Sequence, residues 1–132
     1  MNHWSCRASW GSKIHRATVT ETDVAYEGSL TLDPELMDAA RMLPYEKVDV
    51  YDVDNGERFS TYLIPGEPGS GICCVNGAAA HKTAPGHKII LAAYTQLDQD
   101  EIERHEPYVV LIGEGNRIRS QSREIIAGTR VG

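Results

Sequence analysis

Four short segments of this 132-residue chain carry residues able to act on a small molecule or on the backbone itself. In "RFSTYLI" (58–64) a strand would put Arg58, Ser60, Tyr62 and Ile64 on one face and Phe59, Thr61 and Leu63 on the other. The Arg58 and Tyr62 α-carbons would stand about 13 Å apart at ~3.3 Å per residue, a gap that an extended Arg and a tilted Tyr can close around one small acid. Arginine is the natural bidentate clamp for a carboxylate, and a phenol can deliver a proton. The same spacing equally suits an arginine in solvent and a tyrosine capping a core edge. In "KIHRATVT" (13–20) Lys13 and His15 share a strand face, where they could bind an anion, move a proton or simply occupy the surface. In "VNGAAAH" (75–81) Asn76 and Gly77 precede Ala78 and Ala79, so backbone amides lie beside almost no side-chain bulk. Close approach of a ligand or another chain requires such a stretch, and a packed helix start resembles it. Finally, "YEGSLTLDP" (26–34) holds a Gly28-Ser29 pair that is either a hairpin tip or a place where the chain does chemistry on itself.

Several standard sites can be set aside. The loop "PGEPGSG" (65–71) lacks the Gly-Lys-Ser/Thr of a P-loop, and "GEGNRI" (113–118) lacks the third glycine of a dinucleotide fingerprint. The sequence "EGSLT" fails the G-x-S-x-G nucleophile elbow. Cys6, Cys73 and Cys74 are odd in number with two adjacent, so they read as reduced thiols. Neither C-x-x-C nor H-x-x-x-H spacing is present, and no metal site is expected.

The elements that must position these residues are short. At 132 residues the chain is read as one domain, 1–132, able to bury roughly two thirds of its unfolded surface. Residues 1–5 read as an irregular leader without the pattern of a secretory signal, and no apolar run is long enough to span a bilayer. A cytoplasmic protein without membrane attachment is expected. The formal charge of −6 opposes phosphate contacts, so no nucleic-acid partner is expected, although cations gathered in one pocket could still bind a small anion.

Residues 13–24 read as a strand with Ile14, Val19 and Val24 buried. Asp33 and Pro34 are start signals for a helix whose apolar positions are Leu36, Met37, Ala40 and Leu43, stopped by Pro44. Asn55-Gly56 between two alternating runs predicts a hairpin. "ICCV" (72–75), "HKIILAAY" (87–94) and "YVVLIGE" (108–114) read as strands, with "DQDEIERH" (98–105) a capped helical turn. From about 115 to 132 there is little periodicity beyond Ile118, Ile125 and Ile126, and a partly mobile tail is expected. Six or so strands with two short helices indicate a compact, mainly β barrel. On these features alone the chain would be a small β-barrel ligand-binding module without catalysis.

Taken together and in order, "KIHRATVT", "YEGS", "NGERFSTYLIPGEPGSG", "VNGAAAH" and "HKIILAAY" resemble the pyruvoyl-dependent aspartate 1-decarboxylases, from Arg7 to about Leu111. The resemblance implies a small double-psi β-barrel assembled as a homotetramer, with each site between two subunits. It implies self-cleavage between Gly28 and Ser29, giving a 1–28 β chain and a 29–132 α chain, with Ser29 becoming a covalent pyruvoyl group in place of pyridoxal phosphate or a metal. The implied reaction converts L-aspartate to β-alanine and CO2 through a Schiff base on that group, for pantothenate and coenzyme A biosynthesis. Thr61 would assist the cut by stabilising the developing oxyanion, and Tyr62 would be the proton donor. Lys13 and Arg58 would hold carboxylates, with Thr61, Asn76, Gly77, Ala78 and Ala79 lining the pocket and His15 and Tyr26 nearby. A maturation factor is a further possible partner. Two departures stand out: about five extra residues precede the usual start, and Leu30 follows Ser29 where many relatives carry a small or polar residue.

Overall fold

The computed structural model describes residues 6–27 and 29–123. The chain runs through β1 (Arg7–Thr18), β2 (Glu21–Asp23), β3 (Ser29–Leu32), α1 (Pro34–Ala40), β4 (Lys47–Asp52) and β5 (Arg58–Pro65). It continues through β6 (Cys73–Asn76), a 3-10 turn (Gly77–Lys82), β7 (Lys88–Leu97), α2 (Gln99–Glu103), β8 (Tyr108–Ile112), a second 3-10 turn (Glu114–Asn116) and β9 (Ile118–Ser122). The fold is mainly β with two short α-helices, as expected. The strands pair in the order β2-β6-β3-β5-β4-β7-β1-β8-β9, and the sheet is not closed. Three parallel pairs, β2 with β6, β3 with β5 and β1 with β8, join segments far apart in sequence.

Local chemistry sets the element ends. The Asp33 carboxylate accepts the Glu35 backbone N–H at 2.9 Å as helix cap, and also those of Gly69 at 3.1 Å and Gly71 at 2.9 Å. One side chain therefore both starts α1 and pins the 65–71 loop. Burial pushes its carboxyl up, but these backbone donors outweigh that and hold it below the ordinary range. The helix ends at Arg41, whose φ of 60° is left-handed, so Leu43 falls beyond it and is 67% exposed rather than buried. The Asn55-Gly56 hairpin forms, with Gly56 at φ 77° and Tyr51 opposite Arg58. The capped turn at 98–105 is α2, in which Asp98 and Glu101 cap each other's backbone.

The core joins Ile14, Leu30, Leu32, Val50, Leu63, Leu91 and Val110 from the strands to Leu36 and Met37 of α1. The strand expected over 13–24 is divided: β1 starts at Arg7 and stops at Thr18, Val19 is buried, and Val24 lies in a turn, 55% exposed. Beyond Gly115 the chain forms β9, all five residues of which are exposed and held by pairing with β8. Buried Asn116 secures that corner, donating to the Thr18 and Gly71 carbonyls at 2.8 and 2.7 Å and accepting the Thr18 N–H at 2.7 Å. The 1–5 leader, and Ile125 and Ile126 within 124–132, lie outside the described residues. No helix among the described residues is long and apolar enough to cross a membrane.

Candidate active site

Ser29 opens β3 at 4% exposure, with a φ of 117° that side-chain-bearing residues rarely adopt. Its antiparallel partner on β6 is Asn76. On its other side β5 runs parallel with Leu30 opposite Leu63, and Ser29 and Tyr62 each stand one residue before that pair. Three of the expected site residues, Ser29, Asn76 and Tyr62, thus lie on the adjacent strands β6-β3-β5. Gly28 lies outside the described residues. The Asn76 amide is oriented from both ends: its oxygen accepts from Cys74 Sγ at 3.0 Å and its nitrogen donates to Thr31 Oγ1 at 3.3 Å. Directly after it, buried Gly77 takes a φ of 65°, Ala78 is exposed and Ala79 packs against the core. Tyr26 lies in the exposed turn between β2 and β3.

Along β5, Arg58, Ser60 and Tyr62 are exposed while Phe59, Thr61 and Leu63 are more covered, the alternation a one-sided strand requires. Cross-strand pairing sets Ser60 opposite Asp49, Asp49 opposite Ala92, and Ala92 opposite Lys13, so these four share a row. Arg58 and Tyr62, two residues either side of Ser60, face the same way. Within this face the Arg58 guanidinium lies 4.6 Å from the Tyr51 ring centre, and the Tyr51 and Tyr94 hydroxyls are 2.9 Å apart. That hydrogen bond, with burial second, pushes the Tyr51 phenol up to about 12. Ser60 donates to Asp49 at 2.6 Å.

Lys13 and His15 sit on β1, three strand spacings from β5, or roughly 14 Å at ~4.8 Å per strand. Lys13 and Arg58 therefore stand on strands that are not neighbours, with β4 and β7 between them. Burial lowers the Lys13 pKa, and its ammonium lies 6.0 Å from the Trp10 ring centre. The His15 pKa is lowered to about 4, first by burial and then by Lys13 and Arg16, and its buried Nδ1 has no hydrogen-bond partner.

Asp52, Asp54 and His87 come within 4.8 Å of one another, a metal-like grouping absent from the sequence pattern. The Asp52 oxygens, however, already accept from Thr83 Oγ1 and His87 Nδ1, each at 2.7 Å, and from the Asp54 and Asn55 N–H groups at 2.8 and 3.1 Å. Asp54 accepts the Lys88 backbone N–H at 2.7 Å. Four donors fill a carboxylate, so the group reads as a knot tying the hairpin to β7 and to Thr83, which ends the 3-10 turn carrying Gly77–Ala79. Cys73 and Cys74 are free and buried, and burial pushes the Cys73 thiol up to about 12, out of the range of a reactive thiolate.

The aspartate decarboxylase family model matches residues 6–119. The chain belongs to the aspartate decarboxylase family. Three similar proteins, each named aspartate 1-decarboxylase, agree. That of Syntrophobacter fumaroxidans is 58% identical over 83% of this chain and 89% of its own length. That of Syntrophus aciditrophicus is 54% identical over 82% and 93%, and that of Wolinella succinogenes is 54% identical over 86% and 94%.

As a member of the aspartate decarboxylase family, the chain surrounds its expected site residues with others that sequence reasoning missed. Tyr51 and Tyr94 hold the Arg58 side of the face, Cys74 and Thr31 orient Asn76, and Asp52 anchors the turn after it. Alternation in "VDVYDV" (48–53) does signal Tyr51 facing away from the core. Tyr94, Thr31 and Asp52 act across pairings between segments distant in sequence, while Cys74 reaches Asn76 from two residues away on the same strand.

Proposed function

We propose that this chain is an aspartate 1-decarboxylase, made as a proenzyme that cuts itself between Gly28 and Ser29. The observation that carries the reading is a buried serine with a strained backbone at the first position of β3, beside an oriented Asn76, in a chain of this family. A covalent pyruvoyl group derived from Ser29 fits this place: the position is shielded from water and flanked by an amide and, across β5, a phenol. In maturation Ser29 Oγ adds to the Gly28 carbonyl and the Gly28–Ser29 C–N bond breaks, leaving an ester and a free amine. Loss of the Ser29 α-proton and cleavage of the Cβ–O bond then release the Gly28 carboxylate and leave dehydroalanine. Water hydrolyses this, releasing ammonia. Thr61 stabilises the developing oxyanion, the kind of donor that contributes about 3 kcal/mol.

Once formed, the group supplies the electron sink for loss of CO2 from L-aspartate. Arg58 and Lys13 hold the substrate carboxylates. Tyr62 returns a proton to the α-carbon after CO2 leaves, giving β-alanine. Asn76 and the amides of Gly77, Ala78 and Ala79, with Thr61, line the pocket, and His15 and Tyr26 stand at its edge. Membership of the family supports a site shared between subunits of a homotetramer, in which Lys13 of one copy faces Arg58 and Tyr62 of another. The setting is the cytoplasm, and the product feeds pantothenate and coenzyme A biosynthesis; a maturation factor is a candidate partner. Purified protein given L-aspartate is expected to release CO2 and β-alanine in equal amounts, while Ser29→Ala releases neither. Release of β-alanine by Ser29→Ala would overturn the proposal.

A further inference from the structure

On the outward face that carries Arg58, two tyrosines meet hydroxyl to hydroxyl. Tyr51 stands opposite Arg58 on one side and opposite Ile90 of β7 on the other, with Asp49 and Ala92 the next pair of that face. Tyr94 is four residues along β7 from Ile90, so the Tyr51 and Tyr94 α-carbons are roughly 14 Å apart at ~3.3 Å per residue and ~4.8 Å per strand. A hydroxyl separation of 2.9 Å over that span requires both rings to lie along the sheet, and the short side chain of Ala92 leaves them room. We propose that Tyr94 is a positioning residue for substrate recognition, a role that rests on the decarboxylase reading of Arg58: by pinning the far end of the Tyr51 ring it fixes the plane on which the Arg58 guanidinium rests, and so aims that fork at a substrate carboxylate.

The guanidinium lies 4.6 Å from the Tyr51 ring centre. The backbone holds one end of that ring and the bond to Tyr94 holds the other, so the ring does not swing as a lone exposed tyrosine would. Among the described residues no acidic side chain forms an ion pair with Arg58. Asp49, one register row away, is instead held by the Ser60 hydroxyl at 2.6 Å. The arginine is thus set in place by an uncharged support, which leaves its charge for a carboxylate from outside.

The support stays uncharged because the Tyr94 bond, with burial second, pushes the Tyr51 phenol up to about 12. An arginine ordered beforehand loses less freedom when substrate arrives, which tightens binding without changing the chemical step. Tyr94 itself is 46% exposed, so its hydroxyl adds little to the stability of the fold.

The test compares the full-length wild type with Tyr94→Phe, Tyr51→Phe, the double variant and Arg58→Ala. CO2 release from L-aspartate gives KM and kcat, and NMR follows the Arg58 Nε–H, assigned through its loss in Arg58→Ala. In the wild type that signal is expected upfield, shifted by the Tyr51 ring. Tyr94→Phe should return it toward the position of a free arginine. The same variant should raise KM about fivefold, the factor one hydrogen bond carries, and leave kcat within about twofold. Tyr51→Phe removes the other hydroxyl of the same bond and should do the same, with the double variant no worse than either. The melting temperature of Tyr94→Phe should move by less than about 2 °C, which separates this effect from damage to the fold. An Nε–H signal unmoved in Tyr94→Phe, additive effects of the two hydroxyl losses, or a KM raised in Arg58→Ala but not in Tyr94→Phe would overturn this role alone. No CO2 from the wild type, or a KM unchanged in Arg58→Ala, would overturn the decarboxylase reading of Arg58 and this role with it.

Discussion

Replacing Asp52 by alanine removes the acceptor that joins the β4–β5 hairpin to Thr83 and to β7. Its side chain is fully buried and receives four hydrogen bonds. The Asp54 and Asn55 N–H groups belong to an exposed turn and regain water, and the His87 ring is 30% exposed and partly does so. The Thr83 hydroxyl is buried and does not. A hydrogen bond to a charged group contributes about 1.5–3 kcal/mol and a stranded buried donor costs about 1–3, so the expected loss is about 3 kcal/mol. At ~2.1 cal/mol/K of unfolding entropy per residue, a chain of 132 residues should melt roughly 10 °C lower. Urea and thermal unfolding at matched protein concentration measure this, with Asp54→Ala, which removes one exposed bond, expected to cost less than ~1 kcal/mol.

The pH dependence gives a second reading of the same variant. Burial raises the Asp52 pKa, but His87, Thr83 and the two backbone donors together take it below the unfolded value of 3.8. A lowered folded pKa means the stabilisation is complete above 3.8 and is lost as pH falls through the folded value. The gap between wild type and Asp52→Ala should therefore hold from pH 7 to about pH 4 and close below it. A gap under ~1 kcal/mol at pH 7, or one unchanged at pH 2, would refute the view that this carboxylate is a charged anchor.

Arg58→Ala should raise KM for L-aspartate at least tenfold in a CO2-release assay, while Arg58→Lys recovers only part because a point charge does not replace the fork. Tyr62→Phe should still be cut but turn over at least a hundredfold more slowly, as loss of a general acid commonly costs ~10²–10⁴; full activity would remove that role. His15, with its pKa depressed to about 4, takes up a proton on unfolding between about 4 and 6.5, so wild-type stability should decrease as pH is lowered from about 6.5 to 4. His15→Gln should flatten that part of the profile in urea unfolding followed from pH 4 to 7.

Where structure is decided within a few residues, the sequence was readable. Asp33-Pro34 starts α1, Asn55-Gly56 turns the hairpin, and alternation in 58–64 puts Arg58 and Tyr62 outward together. What escaped was decided by remote partners or by single backbone angles. Leu43 has the right spacing for a buried helix face, but Arg41 turns left-handed first. The strand Ile118–Ser122 has no apolar alternation because all its side chains face water and only β8 holds it. Asn116 resembles any loop asparagine until Thr18 and Gly71 are brought to it across the fold. The same holds for the proposed site: Arg58, Tyr62 and Ser29 are nominated by type and motif, whereas the residues that the fold sets beside Arg58 and Ser29 come from β4 and β6.

The central claim is tested most directly by the intact mass of the purified protein under denaturing conditions. The account predicts two polypeptides, residues 1–28 with a free carboxylate and residues 29–132 beginning with a carbonyl in place of its amine, and a single uncut chain for Ser29→Ala. A wild-type sample that decarboxylates L-aspartate while remaining one chain of unmodified mass would contradict it.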